Sequence, residues 1–209
     1  MEKLDFIGDI HGHAGALAAL LAKLGYRSEA GVYSHPDRRA VFLGDYIDRG
    51  PEQLRTLNIV RPMVEAGRAI ALMGNHEFNA ICYASKVDGA YIRPHNSKNE
   101  RQHAAFLNEF RFGDDDHRNA IDWFKGLPIL IDAPGFAAVH ACWCRDSINA
   151  LVPLMSVNGV LLPSAYEEFA AAGSPTYVLI ERILKGPEHA LPPELHFHDK
   201  DGHRRQHAR

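Results

Sequence analysis

Cysteine, long apolar runs and excess positive charge are all scarce in this 209-residue chain. Its three cysteines, Cys82, Cys142 and Cys144, are too few and too unevenly spaced for a disulfide framework, which favours a reducing compartment. No apolar run approaches the roughly 20 residues that span a bilayer, and the first residues lack the apolar segment of a signal peptide. The formal net charge of -3 provides no general attraction for nucleic acid or membranes. We therefore expect a cytoplasmic protein.

What the chain does contain is a large apolar fraction and many imidazoles. With 46% hydrophobic residues it can bury one sizeable core, so we expect a single domain over residues 1–209. Thirteen histidines is a high number for this length and favours metal chemistry without locating it.

An apolar segment, a polar turn and a helix recur three times in the first 80 residues. The apolar segments are 4–7, 40–43 and 69–73, with helices predicted over 14–24 and from Pro51 to about Ala66. A brief strand is possible at Val32 and Tyr33. This recurrence is typical of βαβ units and predicts a layered α/β fold.

The later chain is less regular. It predicts a loop over 83–96, helices over 99–112 and up to 124, strands at 128–132 and 136–140, and helices near 164–172 and 176–185. The tail 186–209 is predicted to be peripheral, with a hairpin from Glu194 whose turn is Asp199-Lys200-Asp201-Gly202.

Four predicted strands are followed by polar side chains of the kinds that can bind metal ions. The carboxyl ends of strands are where open α/β sheets place ligands. Carboxylate, amide and imidazole groups without thiolates suit Mn²⁺, Fe²⁺ or Zn²⁺, and Asp45 could bridge two ions roughly 3.5–4 Å apart. The strand-end side chains are Asp9 and His11, Asp45 and Asp48, Asn75 and His76, and His140.

Each of these residues also has an ordinary structural explanation. Asp48 and Arg49 could form a turn-stabilising ion pair, His140 could be a core histidine, and Asp9 could cap a helix. Taken together, these explanations require unrelated coincidences at four strand ends, which favours a common site.

The motifs GDIHG, GDYIDRG, GNHE and VHA stand in this order between residues 8 and 141. In order and spacing the chain resembles the calcineurin-like metallophosphoesterases, in the branch of phosphoprotein phosphatases and symmetrical dinucleoside tetraphosphatases. The resemblance implies a β-sandwich of two mixed sheets flanked by helices, in α/β/β/α layers. It also implies two divalent metal ions, with Mn²⁺ favoured and Fe, Zn, Ni or Co as alternatives.

The resemblance also assigns roles to the strand-end residues. Asp9 and His11 would bind the first metal, Asp45 would bridge both, and Asn75 and His140 would bind the second. His76 would act as general acid or as an electrostatic stabiliser at the leaving oxygen, Asp48 would orient and polarise His76, and Arg49 would hold the phosphate. A hydroxide bridging the metals would attack phosphorus directly.

Three functions are compatible with these strand-end residues. The leading hypothesis is hydrolysis of phosphate monoesters, on phosphoserine or phosphothreonine of a phosphorylated protein. The alternative is a symmetrical bis(5'-nucleosyl)-tetraphosphatase acting on a nucleotide. The third, of another class, is a weakly active or inactive protein that binds metal and phosphate.

One motif expected from the resemblance is missing, namely a late Gly-His that would complete the second metal site. The only Gly-His pair in the later chain is Gly202-His203, inside the predicted hairpin turn. We expect a C-terminally truncated sequence that lacks the closing strands, with a tail histidine as the alternative ligand.

Two basic segments remain without an assigned role. The first contains Arg93, His95, Lys98 and Arg101, and the second contains Arg182 and Lys185. Each could be a solvated helix face or a set of substrate contacts.

Overall fold

The computed structural model describes residues 3–169, 174–192, 194–198 and 204–208. Within them, strands and helices alternate over the first 84 residues, and helices and short hairpins follow. The strands are β1 (Lys3–Ile7), β2 (Arg27–Glu29), β3 (Val32–Ser34), β4 (Arg38–Phe42), β5 (Ala69–Ala71), β6 (Lys86–Val87), β7 (Ala90–Tyr91), β8 (Leu130–Ala133), β9 (Phe136–Val139), β10 (His189–Ala190), β11 (Phe197–His198), β12 (Arg204–Arg205) and β13 (His207–Ala208). The helices are α1 (Ala14–Lys23), α2 (Gln53–Glu65), α3 (Asn75–Ala84), α4 (Ser97–Glu109), α5 (Asp115–Lys125), α6 (Arg145–Leu151), α7 (Pro163–Glu168) and α8 (Pro175–Lys185).

The centre of the fold is a three-stranded parallel sheet in the order β1-β4-β5. Parallel neighbours need a crossover connection, which α1 and the β2–β3 hairpin supply between β1 and β4, and α2 between β4 and β5. All three strands therefore have their carboxyl ends at one edge. The predicted α/β fold is confirmed; the remaining described strands form five antiparallel pairs.

The sheet and its helices enclose one apolar core. The sheet contributes Ala40 and Phe42, and the helices contribute Leu21, Met63 and Phe78, all fully buried. The β8–β9 hairpin approaches the sheet through Phe136, whose ring centre lies 5.6 Å from that of Phe6. This core fixes the sheet edge from which the polar loops emerge.

Several boundaries differ from those predicted, for identifiable reasons. Strand β4 begins at Arg38, two residues early, because Arg38 forms an ion pair with Asp5 of β1. Helix α2 begins at Gln53 instead of Pro51. The carboxylate of Glu109 in α4 accepts the backbone N–H groups of Gln53 and Leu54 at 2.8 and 2.9 Å and so caps the helix.

The later chain follows the prediction with additions. Strand β8 begins at Leu130 because Pro128 instead pairs with Val160. Helix α6 and the short β6–β7 and β10–β13 pairs were not predicted. The predicted tail hairpin has its antiparallel strands in β11 and β12, while the turn Asp199-Lys200-Asp201-Gly202 lies outside the described residues. No helix in the described ranges is both long and apolar enough to cross a membrane.

Candidate metal centre and cleft

The loops after β1 and β4 are joined by backbone hydrogen bonds at the carboxyl edge of the sheet. The N–H groups of Ile10 and His11 both donate to the carbonyl of Asp45 at 2.9 Å, and the N–H of Gly12 donates to Tyr46 at 2.8 Å. In return, Gly50 donates to the carbonyl of His11 at 2.9 Å. These bonds fix the Asp9–His11 segment against the Asp45–Asp48 segment before any side chain is considered.

Two glycines allow the β4 and β5 loops to touch. A Cβ atom on Gly44 would lie 2.5 Å from the backbone nitrogen of Gly74. A Cβ atom on Gly74 would lie 2.3 Å from the backbone nitrogen of Asp45. No real Cβ atom comes so close, so the Gly-Asp and Gly-Asn pairs are steric requirements of this contact.

Backbone strain is concentrated in the same loops. His11, Asp45, Asp48 and Arg49 have φ angles of 49°, 57°, 67° and 68°. This left-handed conformation is costly for residues with a Cβ atom and occurs mainly where function or packing requires it. The strain turns each of these side chains in a direction that ordinary strand geometry would not permit.

Asp45 is the centre of two overlapping groups of potential ligands. The first group is His11, Asp45 and His76, and the second is Asp9, Asp45 and His140. In each group the ligand atoms lie within 4.8 Å of one another. Because Asp45 has two carboxylate oxygens and belongs to both groups, it can serve two cations at once.

The two carboxylate oxygens of Asp45 face different histidines. Oδ2 lies 3.6 Å from Nε2 of His11, and Oδ1 lies 3.5 Å from Nε2 of His140. Burial alone would raise the pKa of Asp45, but the hydrogen bond from His140 and the charges of His76 and His140 lower it to about 2. Asp45 is therefore an anion, as a bridging ligand must be.

The histidines are oriented as metal ligands usually are. His11 donates from Nδ1 to the carbonyl of Ile47 at 2.9 Å, and His140 donates from Nδ1 to Leu43 at 2.6 Å. Such bonds leave Nε2 of each ring facing Asp45, and this nitrogen carries the lone pair whenever the ring is a neutral metal ligand. In His11, Nε2 is buried and has no hydrogen-bond partner among the described residues. A buried imidazole nitrogen without a partner, beside carboxylates, fits a divalent cation.

A second cluster lies beside the first and is organised by the carboxylate of Asp48. Its Oδ2 is 2.6 Å from Nδ1 of His76, and its Oδ1 is 2.9 Å from Nδ1 of His103. Burial raises the pKa of Asp48, but the hydrogen bonds from His103 and His76 outweigh it and lower the pKa. Burial lowers the pKa of His76, but its bond to Asp48 and the charge of Asp45 raise it overall. Asp48 thus favours a protonated His76.

The fully buried side chain of Glu77 joins the loops that follow β4 and β5. Its carboxylate accepts the backbone N–H groups of Asp45, Tyr46 and Gly74 at 2.9, 2.8 and 2.9 Å. Burial and the nearby Asp45 raise the pKa of Glu77 to about 7. Glu77 touches no solvent, so its role is to position the Asp45 loop.

A cleft of about 1960 Å³ is lined by Asp48, His76 and His103 of the second cluster. Asn75, at the start of α3, lines it together with Arg49 and His76. Of its charged lining residues, three are acidic and eight are basic, although the chain as a whole has a net charge of -3. The basic ones are Arg49, Arg93, Lys98, Arg101, Arg182, Lys185, Arg204 and Arg205.

Comparison with known proteins agrees with this geometry. The family model of calcineurin-like phosphoesterases matches residues 3–171. The chain belongs to this family.

The curated relatives align over a short stretch. One, an asymmetrical bis(5'-nucleosyl)-tetraphosphatase PrpE from Geobacillus sp. (strain WCH70), is 45% identical over 75 residues, 35% of this chain and 31% of that protein. Its namesake from Geobacillus thermodenitrificans (strain NG80-2) is 46% identical over 74 residues, 35% of this chain and 30% of that protein. The match thus spans less than a third of these relatives. A mutant cold-active protein tyrosine phosphatase shares the fold, with a TM-score of 0.50 and 18% identity over 73% of this chain and 45% of that one.

The structure brings the strand-end residues to one place. Asp9 lies 3.6 Å from Nε2 of His11, with which it was predicted to share a metal, and it also forms a ligand group with Asp45 and His140. His76 lies within reach of a ligand group as well as of Asp48. The individual roles of these residues stay predictions.

Sequence reasoning missed two residues of the site. His103 contacts Asp48 across 55 positions of sequence, and Glu77 contacts Asp45 across 32. The GNHE motif contained Glu77, so the motif itself was the available signal. For His103 the only signal was its helical spacing from Asn99 and Phe106, which predicts a buried face.

Proposed function

We propose that this chain hydrolyses the phosphoanhydride of a nucleotide polyphosphate, such as a bis(5'-nucleosyl) tetraphosphate, with two divalent cations held around Asp45. The observation that carries the proposal is the pair of ligand groups sharing Asp45, next to the Asp48–His76 pair. The relatives' name supports the substrate class. So does a cleft larger than the roughly 300–1,000 Å³ of ordinary small-molecule pockets and rich in cations.

The chain's own residues divide the work. When bound, divalent cations polarise phosphoryl oxygens and lower the pKa of water. Asp9, His11, Asn75 and His140 would hold them around Asp45, and Mn²⁺ is the first ion to test.

The remaining groups act on the substrate. Arg49 would orient the reacting phosphate through its planar guanidinium. His76 keeps Nδ1 on Asp48, so Nε2 is the atom that would deliver a proton to the leaving oxygen. Asp48 would hold the imidazole in place and stabilise its charged form.

Product analysis tests the substrate and the bond that is cut. With Mn²⁺ and diadenosine tetraphosphate, we expect AMP and ATP, in keeping with the word asymmetrical in the relatives' name. Two molecules of ADP would instead support the symmetrical alternative. A phosphoserine peptide tests the phosphomonoester hypothesis, and faster turnover of the peptide would displace the nucleotide proposal.

Asp45→Asn is the decisive variant for the chemistry. It keeps the size of the side chain but removes the negative charge, and we expect at least about 100-fold lower turnover. Asp37→Asn is the matched control, because Asp37 is exposed and lies outside both ligand groups. Metal bound without turnover of any of these substrates would support a metal- and phosphate-binding protein instead.

A further inference from the structure

Helix α4 presents two different faces, and the core determines which way each one points. Asn99, His103 and Phe106 are buried and fix the helix against the rest of the fold. Lys98 and Arg101 are exposed and line the same cleft as Arg49 and His76. Because the buried face is anchored next to Asp48 through His103, the basic face is held beside the reaction centre.

These two cations have no counter-ion among the residues that the structure describes. In the part of the chain that the structure describes, no carboxylate forms an ion pair with Lys98 or Arg101. Lys185 on α8, which lines the same cleft, is by contrast paired with Glu181. The positive charge of the α4 face is therefore available to a ligand, and a concave surface of one charge sign concentrates its field.

The spacing of the two cations suits a chain of phosphates. Residues three apart on a helix are neighbours, with Cβ atoms roughly 5–6 Å apart. A guanidinium binds phosphate oxygens through two parallel hydrogen bonds, and an ammonium acts as a compact positive charge. Together they can contact adjacent phosphoryl groups on one side of an extended ligand.

We propose that Lys98 and Arg101 bind the non-reacting phosphates of a polyphosphate substrate while Arg49 and His76 act on the phosphate that is cleaved. The inference rests on the proposed function and adds the residues that select a chain of phosphates over a single one. It assigns a ligand to a basic segment whose sequence is also compatible with a solvated helix face.

The first test measures binding without catalysis. Inorganic tripolyphosphate is titrated calorimetrically into the metal-free full chain, comparing wild type with Lys98→Ala/Arg101→Ala. We expect about tenfold weaker binding for the double variant, and a wild-type affinity that falls as salt is added. Lys23→Ala/Arg27→Ala is the matched control, because it removes the same charge from exposed positions outside the cleft.

The second test measures selectivity. The Lys98/Arg101 variant should raise the KM for diadenosine tetraphosphate about tenfold and leave kcat/KM for p-nitrophenyl phosphate within twofold. Equal losses on both substrates, or equal tripolyphosphate binding by variant and wild type, would overturn the inference. The inference would also be overturned if the double variant lost as much affinity for a phosphoserine peptide as for tripolyphosphate. That result would instead indicate a surface that binds acidic peptides in general.

The two tests separate this inference from the proposed function. If wild type turns over none of the substrates, the proposed function fails, and the calorimetric comparison still decides whether the α4 face binds phosphate chains. If turnover is present but the variant is indistinguishable from the Lys23/Arg27 control, the function stands and the inference is wrong.

Discussion

Replacing the buried carboxylate of Glu77 should destabilise the whole site, although Glu77 reaches neither solvent nor substrate. Its two oxygens accept three short backbone hydrogen bonds, from Asp45, Tyr46 and Gly74. Glu77→Gln keeps the shape of the side chain but replaces one acceptor oxygen with an NH₂ donor. At least one buried N–H group is then left facing another donor.

The cost follows from these bonds. A buried donor without an acceptor costs roughly 1–3 kcal/mol, and bonds to a neutral oxygen are about half as strong as those to a carboxylate. Part of this cost is offset at pH 8, because the raised pKa of Glu77 means that keeping its carboxylate charged in the folded state already lowers stability. We therefore expect a net loss of about 2 kcal/mol in the free energy of unfolding, which for a chain of this length corresponds to a Tm about 4–8 °C lower.

Thermal unfolding should be followed by circular dichroism in a chelator, so that metal binding does not contribute. The measurement belongs at pH 8, above the pKa of about 7 that burial gives Glu77, so that the wild-type carboxylate is charged. Glu65→Gln is the control, since Glu65 is exposed and its ion pair is with Arg61 on the same helix. A Glu77→Gln variant that melts within 2 °C of this control would refute the account of how the Asp45 loop is held.

Three further predictions concern other parts of the site and the core. His103→Leu removes the donor to Asp48 and should lower kcat about 10-fold or more at unchanged KM. His103→Asn keeps a donor and should retain much of the wild-type kcat. Equal losses of kcat in the two variants would contradict a positioning role. His117 is 2% exposed and burial lowers its pKa to about 4, so the unfolded state binds more protons below pH 6.5 and stability falls as the pH drops. In denaturant titrations, the free energy of unfolding that is lost between pH 7.5 and 5 should be about 2 kcal/mol smaller for His117→Phe than for wild type. An unchanged pH dependence would exclude His117 as the cause. Gly74→Ala puts a methyl group against the nitrogen of Asp45 and should cost more than about 2 kcal/mol by the same titration. The control is Gly8→Ala, because Gly8 is exposed, has no left-handed backbone conformation, and an added Cβ atom there meets nothing within 4 Å.

The central sheet and the strand-end cluster could be predicted because both depend on local patterns. Short apolar runs followed by Gly-Asp or Gly-Asn mark strands whose carboxyl ends meet at one edge, and parallel topology then brings Asp9, Asp45 and Asn75 together. The glycines of these pairs are required where the β4 and β5 loops touch, which is why the motifs are readable in sequence.

The support behind the cluster depends on long-range contacts and could not be read in the same way. His103 sits on a helix that looks like an ordinary amphipathic segment, and its partner Asp48 is identified only when α4 packs beside the β4 loop. Likewise, Glu109 caps α2 from 55 or more residues away, which is why the helix begins at Gln53 and not at the predicted Pro51. Helix α6 follows the Cys-Trp-Cys segment and is only seven residues long, too short for a clear apolar period.

The most direct test of the central claim is anomalous diffraction at the manganese edge from crystals grown with Mn²⁺. If Asp45 bridges two cations, the map should show two peaks roughly 3.5–4 Å apart on either side of its carboxylate. Asp45→Asn, crystallised under the same conditions, should lose at least one of them. A single peak in the wild-type protein, or two peaks that survive unchanged in Asp45→Asn, would contradict the two-metal account.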